Sequence, residues 1–174
     1  MSNRAAELYR PIVKAYEAGD AARLEEEGNA FLTLIDDLDT LLATRSEFLL
    51  GRWLAGARRW ARSDEKRRLF EWNARNQIAL WGPPDSRLHD YAAKQWAGLL
   101  RGFYKPRWER FLTALKSSLN AETPWDAEAL ENGLQAWEDS WTHETGRYAA
   151  EPRGDAVATA QGLFEEYVDG SGAG

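Results

Sequence analysis

The stretch Leu80-Trp81-Gly82-Pro83-Pro84 sets the firmest limit on how this chain folds. Consecutive prolines have fixed φ and no backbone donors, so a helix that ends near Leu80 cannot run on through them. Gly82 is expected to supply the backbone freedom for a sharp turn. Trp81 is thereby held at the tip of a helix rather than along its side. Two readings of that indole follow. A stiff, flat ring beside a tight turn makes a wall for a sugar or another flat ligand. The same ring could equally plug the end of a helix bundle, since tryptophans are mostly packing residues.

The flanking sequence is helical throughout. Ser2 or Asn3 caps a first helix to about Ala18, which Pro11 kinks or splits. From Ala21 to Ala43, Leu24, Phe31, Leu34, Ile35, Leu38, Leu41 and Leu42 hold a helical stripe, leaving Asp36, Asp37 and Asp39 to a solvated face. Thr44 or Ser46 caps a third helix marked by Leu49, Leu50, Trp53, Leu54, Ala57 and Trp60. A fourth restarts at Ser63-Asp64 and is apolar over more than one face, which makes it central. After the corner, a fifth helix is expected from about Leu88 through Tyr91, Gln95, Trp96, Leu99 and Leu100, with Gly98 and Gly102 letting a neighbour approach closely. Phe103 to Pro106 interrupts it before a sixth helix carrying Trp108, Phe111, Leu112, Leu115 and Leu119. A seventh spans about Asp126–Glu144, and Asp155 caps the last. No segment alternates for strand length. The expected fold is all-α, an irregular bundle of seven or eight helices over residues 1–168, with 169–174 as a glycine-rich tail.

Composition removes several functions. At 174 residues and a net charge of −6, the chain lacks the overall basic balance of a general nucleic-acid binder. Basic residues nonetheless crowd one third of it, among them Arg52, Arg58, Arg59, Arg62 and Arg75. No run approaches the ~18 apolar residues of a membrane span. There is no cysteine, so thiolate chemistry and disulfides are excluded. His89 and His143 sit in neither zinc nor di-iron spacing, so no metal and no cofactor is expected. Paired carboxylates such as Glu25 and Glu27 lie on predicted solvated faces, where nothing tunes them for acid–base work. Nothing resembles a nucleophile elbow.

The most specific signal is an ordered series: Phe48-Leu49-Leu50-Gly51-x-Trp53-Leu54, Asn73-Ala-Arg75, Leu80-Trp-Gly-Pro83, Leu88-x-Asp90-Tyr91-Ala92, Lys94-Gln95, Gly98-Leu99, Pro106-Arg107-Trp108 and Pro152-Arg153-Gly154-Asp155. From about Leu38 to Tyr167 the chain resembles the C-terminal all-helical domain of the α-N-acetylglucosaminidase family, glycoside hydrolase family 89. The resemblance implies a role beside a catalytic (β/α)₈ barrel that removes terminal α-linked N-acetylglucosamine with retention, using two carboxylic acids about 5–5.5 Å apart. A barrel needs eight strands over ~200 residues, so this chain alone is expected to be inactive, with no catalytic residue of its own. Carried over residue by residue, the substrate-facing positions are Trp81, Leu88 and Tyr91. Asn73, Arg75, Gly82, Asp90, Lys94, Arg107 and Arg153 would support the corner, the charged and amide side chains through buried polar networks. The partners implied are the barrel of the same enzyme and a glycan ending in N-acetylglucosamine, with no nucleic acid. Family members are typically lysosomal or exported, but no targeting signal is present here and the compartment is unknown. Two further readings stand beside this one: a free-standing carbohydrate-binding or helical protein-interaction module, and a structural bundle with no ligand.

Overall fold

Amphipathic periodicity builds most of the molecule. The structure, a computed structural model, describes residues 2–85 and 90–169, so Leu88 and the expected start of the fifth helix lie outside the described residues. Among these, seven α-helices and no strand occur: α1 (Ser2–Glu17), α2 (Ala21–Leu42), α3 (Leu50–Arg59), α4 (Asp64–Asn76), α5 (Lys105–Asn120), α6 (Ala127–His143) and α7 (Ala156–Phe164). The fold is all-α. Side chains cap the helices where short polar residues precede them. Asp20 accepts from the Arg23 amide at 2.9 Å, Asp126 from Ala129 at 2.9 Å, and Asp155 from Val157 and Ala158 at 2.8 and 3.0 Å. Pro11 lies inside α1 without splitting it.

Two apolar clusters fill the interior. One joins Leu50, Leu54, Ala74, Ile78, Leu99, Phe103 and Trp141. The other joins Ile12, Leu24, Phe31, Ile35 and Leu115, from α1, α2 and α5, with Leu100. The segment linking them is a π-helical turn, Leu100–Tyr104, that runs directly into α5. Leu99 and Phe103 face one cluster and Leu100 the other. Pro106 needs no break here. It sits in the first turn of α5, where its missing donor costs little.

Three expectations fail for long-range reasons. Residues 91–98 are not helical. The Ala97 amide donates to Phe48 O at 2.7 Å and Leu50 donates back to Ala97 O at 3.1 Å, a parallel bridge that takes the chain out of helical geometry. That bridge also supplies the start of α3. Neither Thr44 nor Ser46 caps it, and the Thr44 hydroxyl instead donates to Leu41 O at the end of α2. Nor do the α2 aspartates form a solvated face. Asp39 is buried, and its carboxylate accepts from the Gly98 and Arg101 amides at 2.7 and 3.1 Å, capping the helical start at Leu99. Asp36 binds Arg101 Nε at 2.9 Å and Lys105 Nζ, while Asp37 accepts from the Tyr167 hydroxyl and docks the chain after α7.

An extended strap, residues 144–155, then crosses the bundle. Tyr148 lies on the glycine pair: a Cβ at Gly98 would come within 2.8 Å of its ring and one at Gly102 within 3.1 Å of its hydroxyl. The close approach at Gly98 and Gly102 is thus made by a loop tyrosine and not by a neighbouring helix. Gly51 meets the strap backbone more tightly, since a Cβ there would lie 2.2 Å from Ala149 O. Fully buried Arg75 holds the strap from below. Its guanidinium lies 4.7 Å from the Trp141 ring and 5.3 Å from that of Tyr148, and pairs with Glu71 at 3.5 Å. Arg58 binds the same carboxylate through Nε at 2.6 Å and reaches Gly146 O at 3.2 Å.

Two stability outcomes follow from this packing. Gly51→Ala forces a methyl into backbone and should cost about 3 kcal/mol by thermal or urea melting. Gly56→Ala, one turn and a half along the same helix, meets nothing within 4 Å and should be neutral or stabilising by about 1 kcal/mol. Burial of Asp36 pulls its pKa up, but its hydrogen bonds to Lys105 and Arg101 outweigh this and hold it below the usual 3.8. A depressed pKa contributes stability above the unfolded value that is lost as pH falls through the folded one. Asp36→Asn should therefore lower the melting temperature at pH 7, with the gap closing as pH drops below about 4.

Candidate functional site

The end of α4 is where the chain departs most from ordinary geometry. After Asn76 the backbone makes one loose turn, and Trp81 then adopts φ +54°. A left-handed residue just past a helix end is usually glycine, and a bulky side chain there costs roughly 1–2 kcal/mol. Gly82 follows at φ 158°, also positive as expected of the glycine at this corner, but the left-handed strain falls on the tryptophan before it. Asp90, which closes the loop, is left-handed too, at φ +59°.

Neighbouring groups hold this conformation from both ends. The Trp81 amide donates to Asn76 O at 2.7 Å, and the Asn76 side-chain amide donates to Gly82 O at 2.7 Å. The Asp90 amide donates to Ala79 O at 3.0 Å, so the loop returns to the helix end it left. Gln135 of α6 donates to Pro84 O. Below the loop, Arg107 of α5 grips both Asp90 oxygens at 2.9 and 2.7 Å and reaches the buried carboxylate of Glu138 at 2.9 Å. Three elements are thereby tied at one guanidinium. Tyr104 packs beside this cluster, and burial, reinforced by the Asp90 charge, pushes its hydroxyl pKa up to about 12, so it stays neutral at any physiological pH.

The result is a paired aromatic tip. The Trp81 and Tyr91 rings lie 5.2 Å apart at 42°, with 39% and 71% of each residue exposed. Trp81 is therefore not fully enclosed by the bundle, and the Tyr91 ring lies beside it. Such a tip offers ring faces for the apolar face of a pyranose and a phenol for one hydroxyl.

The remaining candidate residues divide sharply. Asp90 and Arg107 meet under the loop. Arg75 is buried, but it anchors the strap and not the corner. Asn73, Lys94 and Arg153 are exposed, and no side-chain hydrogen bond or ion pair joins them to this cluster among the described residues. The Arg153 amide contributes only a backbone bond, to Ala43 O at 2.8 Å. Asn76, Gln135 and Glu138, which the sequence analysis passed over, do the holding instead. Their partners lie on backbone carbonyls or on other helices, and no spacing rule marks such pairings. Among the described residues no cluster of three or more histidine, aspartate or glutamate side chains could hold a metal ion.

Comparison with known proteins places this geometry. The sequence profile of the alpha-N-acetylglucosaminidase (NAGLU) C-terminal domain matches residues 1–166, so the likeness extends through the first two helices as well. The human alpha-N-acetylglucosaminidase is 37% identical over 160 residues, covering 91% of this chain and 21% of that protein. A family 89 glycoside hydrolase from Clostridium perfringens, solved in complex with PUGNAc, superposes with a TM-score of 0.82 at 29% identity, over 98% of this chain and 20% of that one. A variant of the Clostridium perfringens enzyme, in complex with its substrate GlcNAc-alpha-1,4-galactose, gives a TM-score of 0.81 with the same coverage. This chain therefore spans about a fifth of the length of the relatives it matches. With the profile matched over nearly its whole length and the helices in the same arrangement, the chain belongs to the α-N-acetylglucosaminidase C-terminal domain family.

Proposed function

We propose that this chain is the non-catalytic helical domain of an α-N-acetylglucosaminidase-like glycoside hydrolase. It packs on a catalytic (β/α)₈ barrel and closes one side of the pocket for a terminal N-acetylglucosamine. The observation that carries this reading is the strained, exposed Trp81 backed by Tyr91. A fold tolerates left-handed strain on a bulky residue when something other than stability keeps it there. The relatives' bound sugars and analogues give the chemical class of what that tip would meet. The catalytic carboxylates belong to the portion of the enzyme that this chain does not span. Trp81 and Tyr91 act by holding the sugar ring against that machinery, which improves transition-state positioning without any proton transfer of their own.

In the complete enzyme, Trp81→Ala should reduce kcat/KM by about 10–100-fold, or roughly 1.4–3 kcal/mol of transition-state stabilisation. The 174-residue chain alone should release no sugar from an α-linked N-acetylglucosaminide. Trp81→Gly in that chain separates a pocket wall from a packing residue. It relieves the left-handed strain while losing one exposed ring contact, so the melting curve should stay within about 1 kcal/mol of the parent. A large loss of stability with normal turnover in the complete enzyme would return Trp81 to a packing role.

A further inference from the structure

The motif around Arg153 has no part in the corner, and the strap that carries it borders a cavity of its own. This space, about 550 Å³, is lined by the strap on one side and by α2 and the Leu49–Ala97 bridge on the other. Three arginines line it, Arg101, Arg147 and Arg153, against a single carboxylate, Asp39. That carboxylate is buried and already accepts the Gly98 and Arg101 amides. In a chain of net charge −6, the lining is therefore cationic.

The three guanidiniums differ in what holds them. Arg101 is fixed, with Nε on an Asp36 carboxylate oxygen at 2.9 Å and Nη2 on Asp36 O at 3.3 Å. Arg147 and Arg153 are exposed, and among the described residues neither side chain makes a hydrogen bond, ion pair or ring contact. Glu151 stands between them in sequence and is exposed, yet no ion pair joins it to either. Exposed arginines are commonly just solvated. These two share one cavity with a third cation, and the backbone under both is pinned. Tyr148, next to Arg147, lies on Gly98 and Gly102, and the Arg153 amide donates to Ala43 O at 2.8 Å.

That arrangement selects a ligand by charge and size. A guanidinium recognises oxyanions through its fork of N–H donors. Two unpaired guanidiniums are neutralised by a phosphomonoester, which carries about −1.5 to −2 near pH 7. A carboxylate or a sulfate ester, with one negative charge, would leave one of them uncompensated. A bare phosphate ion would fill only part of the cavity and leave the apolar wall of Leu49, Ala97 and Tyr148 facing water. A compact organic body attached to the phosphate would cover that wall.

We infer that the cavity beside the strap binds a small phosphomonoester. Arg147 and Arg153 hold the phosphate, Arg101 adds a third positive charge, and the organic body lies against Leu49, Ala97 and Tyr148. Occupancy ties the strap to α2 and to the bridge that starts α3. The inference is independent of the pocket-wall reading and concerns a different set of residues from Trp81 and Tyr91.

Isothermal titration calorimetry of the 174-residue chain at pH 7.5 and fixed ionic strength tests this, with glucose 6-phosphate as the probe. One site should saturate with a Kd below about 1 mM. Arg147→Gln with Arg153→Gln should weaken binding at least about tenfold, because each removes a charge-assisted contact. Both side chains are exposed and unpartnered, so the unliganded double variant should melt within about 2 °C of the parent. No heat of binding up to about 20 mM ester overturns the inference, as does an affinity that the double variant leaves unchanged. Equal affinity for inorganic phosphate also overturns it, since the organic body would then contribute nothing. Equal affinity for glucose 6-sulfate or for glucose does the same, since the second negative charge or the phosphate itself would then go unread.

Discussion

Two prolines after Gly82 leave the chain at the end of α4 no way to remain helical, and the left-handed turn that results falls on a tryptophan. Every other feature of the candidate site serves to hold that turn. Asn76 satisfies the backbone on either side of it, Gln135 reaches the second proline, and the return of the loop is pinned at Asp90 by Arg107 and Glu138. Strain of this kind persists only where the surroundings over-determine it. Here two helices and a part-buried ion cluster do so. On the proposed reading, an indole at a rigid tip would keep its orientation when a ligand arrives and would lose little entropy on contact.

The bundle supports this tip through interactions that cross long stretches of sequence. The strap at residues 144–155 lies against Gly51, Gly98 and Gly102, and Arg75 links it to α4 beneath. Asp39 of α2 starts the helix that becomes α5, whose Arg107 then grips the corner. Stability and site are therefore not separate layers. A residue such as Asp39, remote from the aromatic pair, fixes the register of the helix that presents Arg107.

Much of this was legible in the residues. The periodic Leu, Phe and Trp positions of α2, α3 and α6 mark those helices, because a helix that buries one face must repeat apolar side chains at 3.6-residue intervals. Asp20, Asp126 and Asp155 mark helix starts by the same local logic. The corner was legible because proline acts on its own backbone. What failed was non-local. Tyr91, Gln95, Trp96 and Leu99 repeat as a helix would, yet the bridge between Ala97 and Phe48 overrides the pattern. Asp36, Asp37 and Asp39 look like a solvated face until Lys105, Tyr167 and the Gly98 amide are brought to them. At the site, the family motif drew notice to Asn73, Lys94 and Arg153, which are exposed, and away from Asn76 and Glu138, which hold the loop. A motif records which residues recur and not what each one touches.

The central claim is that the Trp81 indole faces the sugar. Fluorotryptophan NMR of the complete enzyme tests this directly, with the Trp81 signal assigned by Trp81→Phe and N-acetylglucosamine as the titrant. The account predicts a saturable shift of the Trp81 resonance that tracks inhibition of turnover. A Trp81 signal that stays unmoved while the sugar saturates the active site would contradict it.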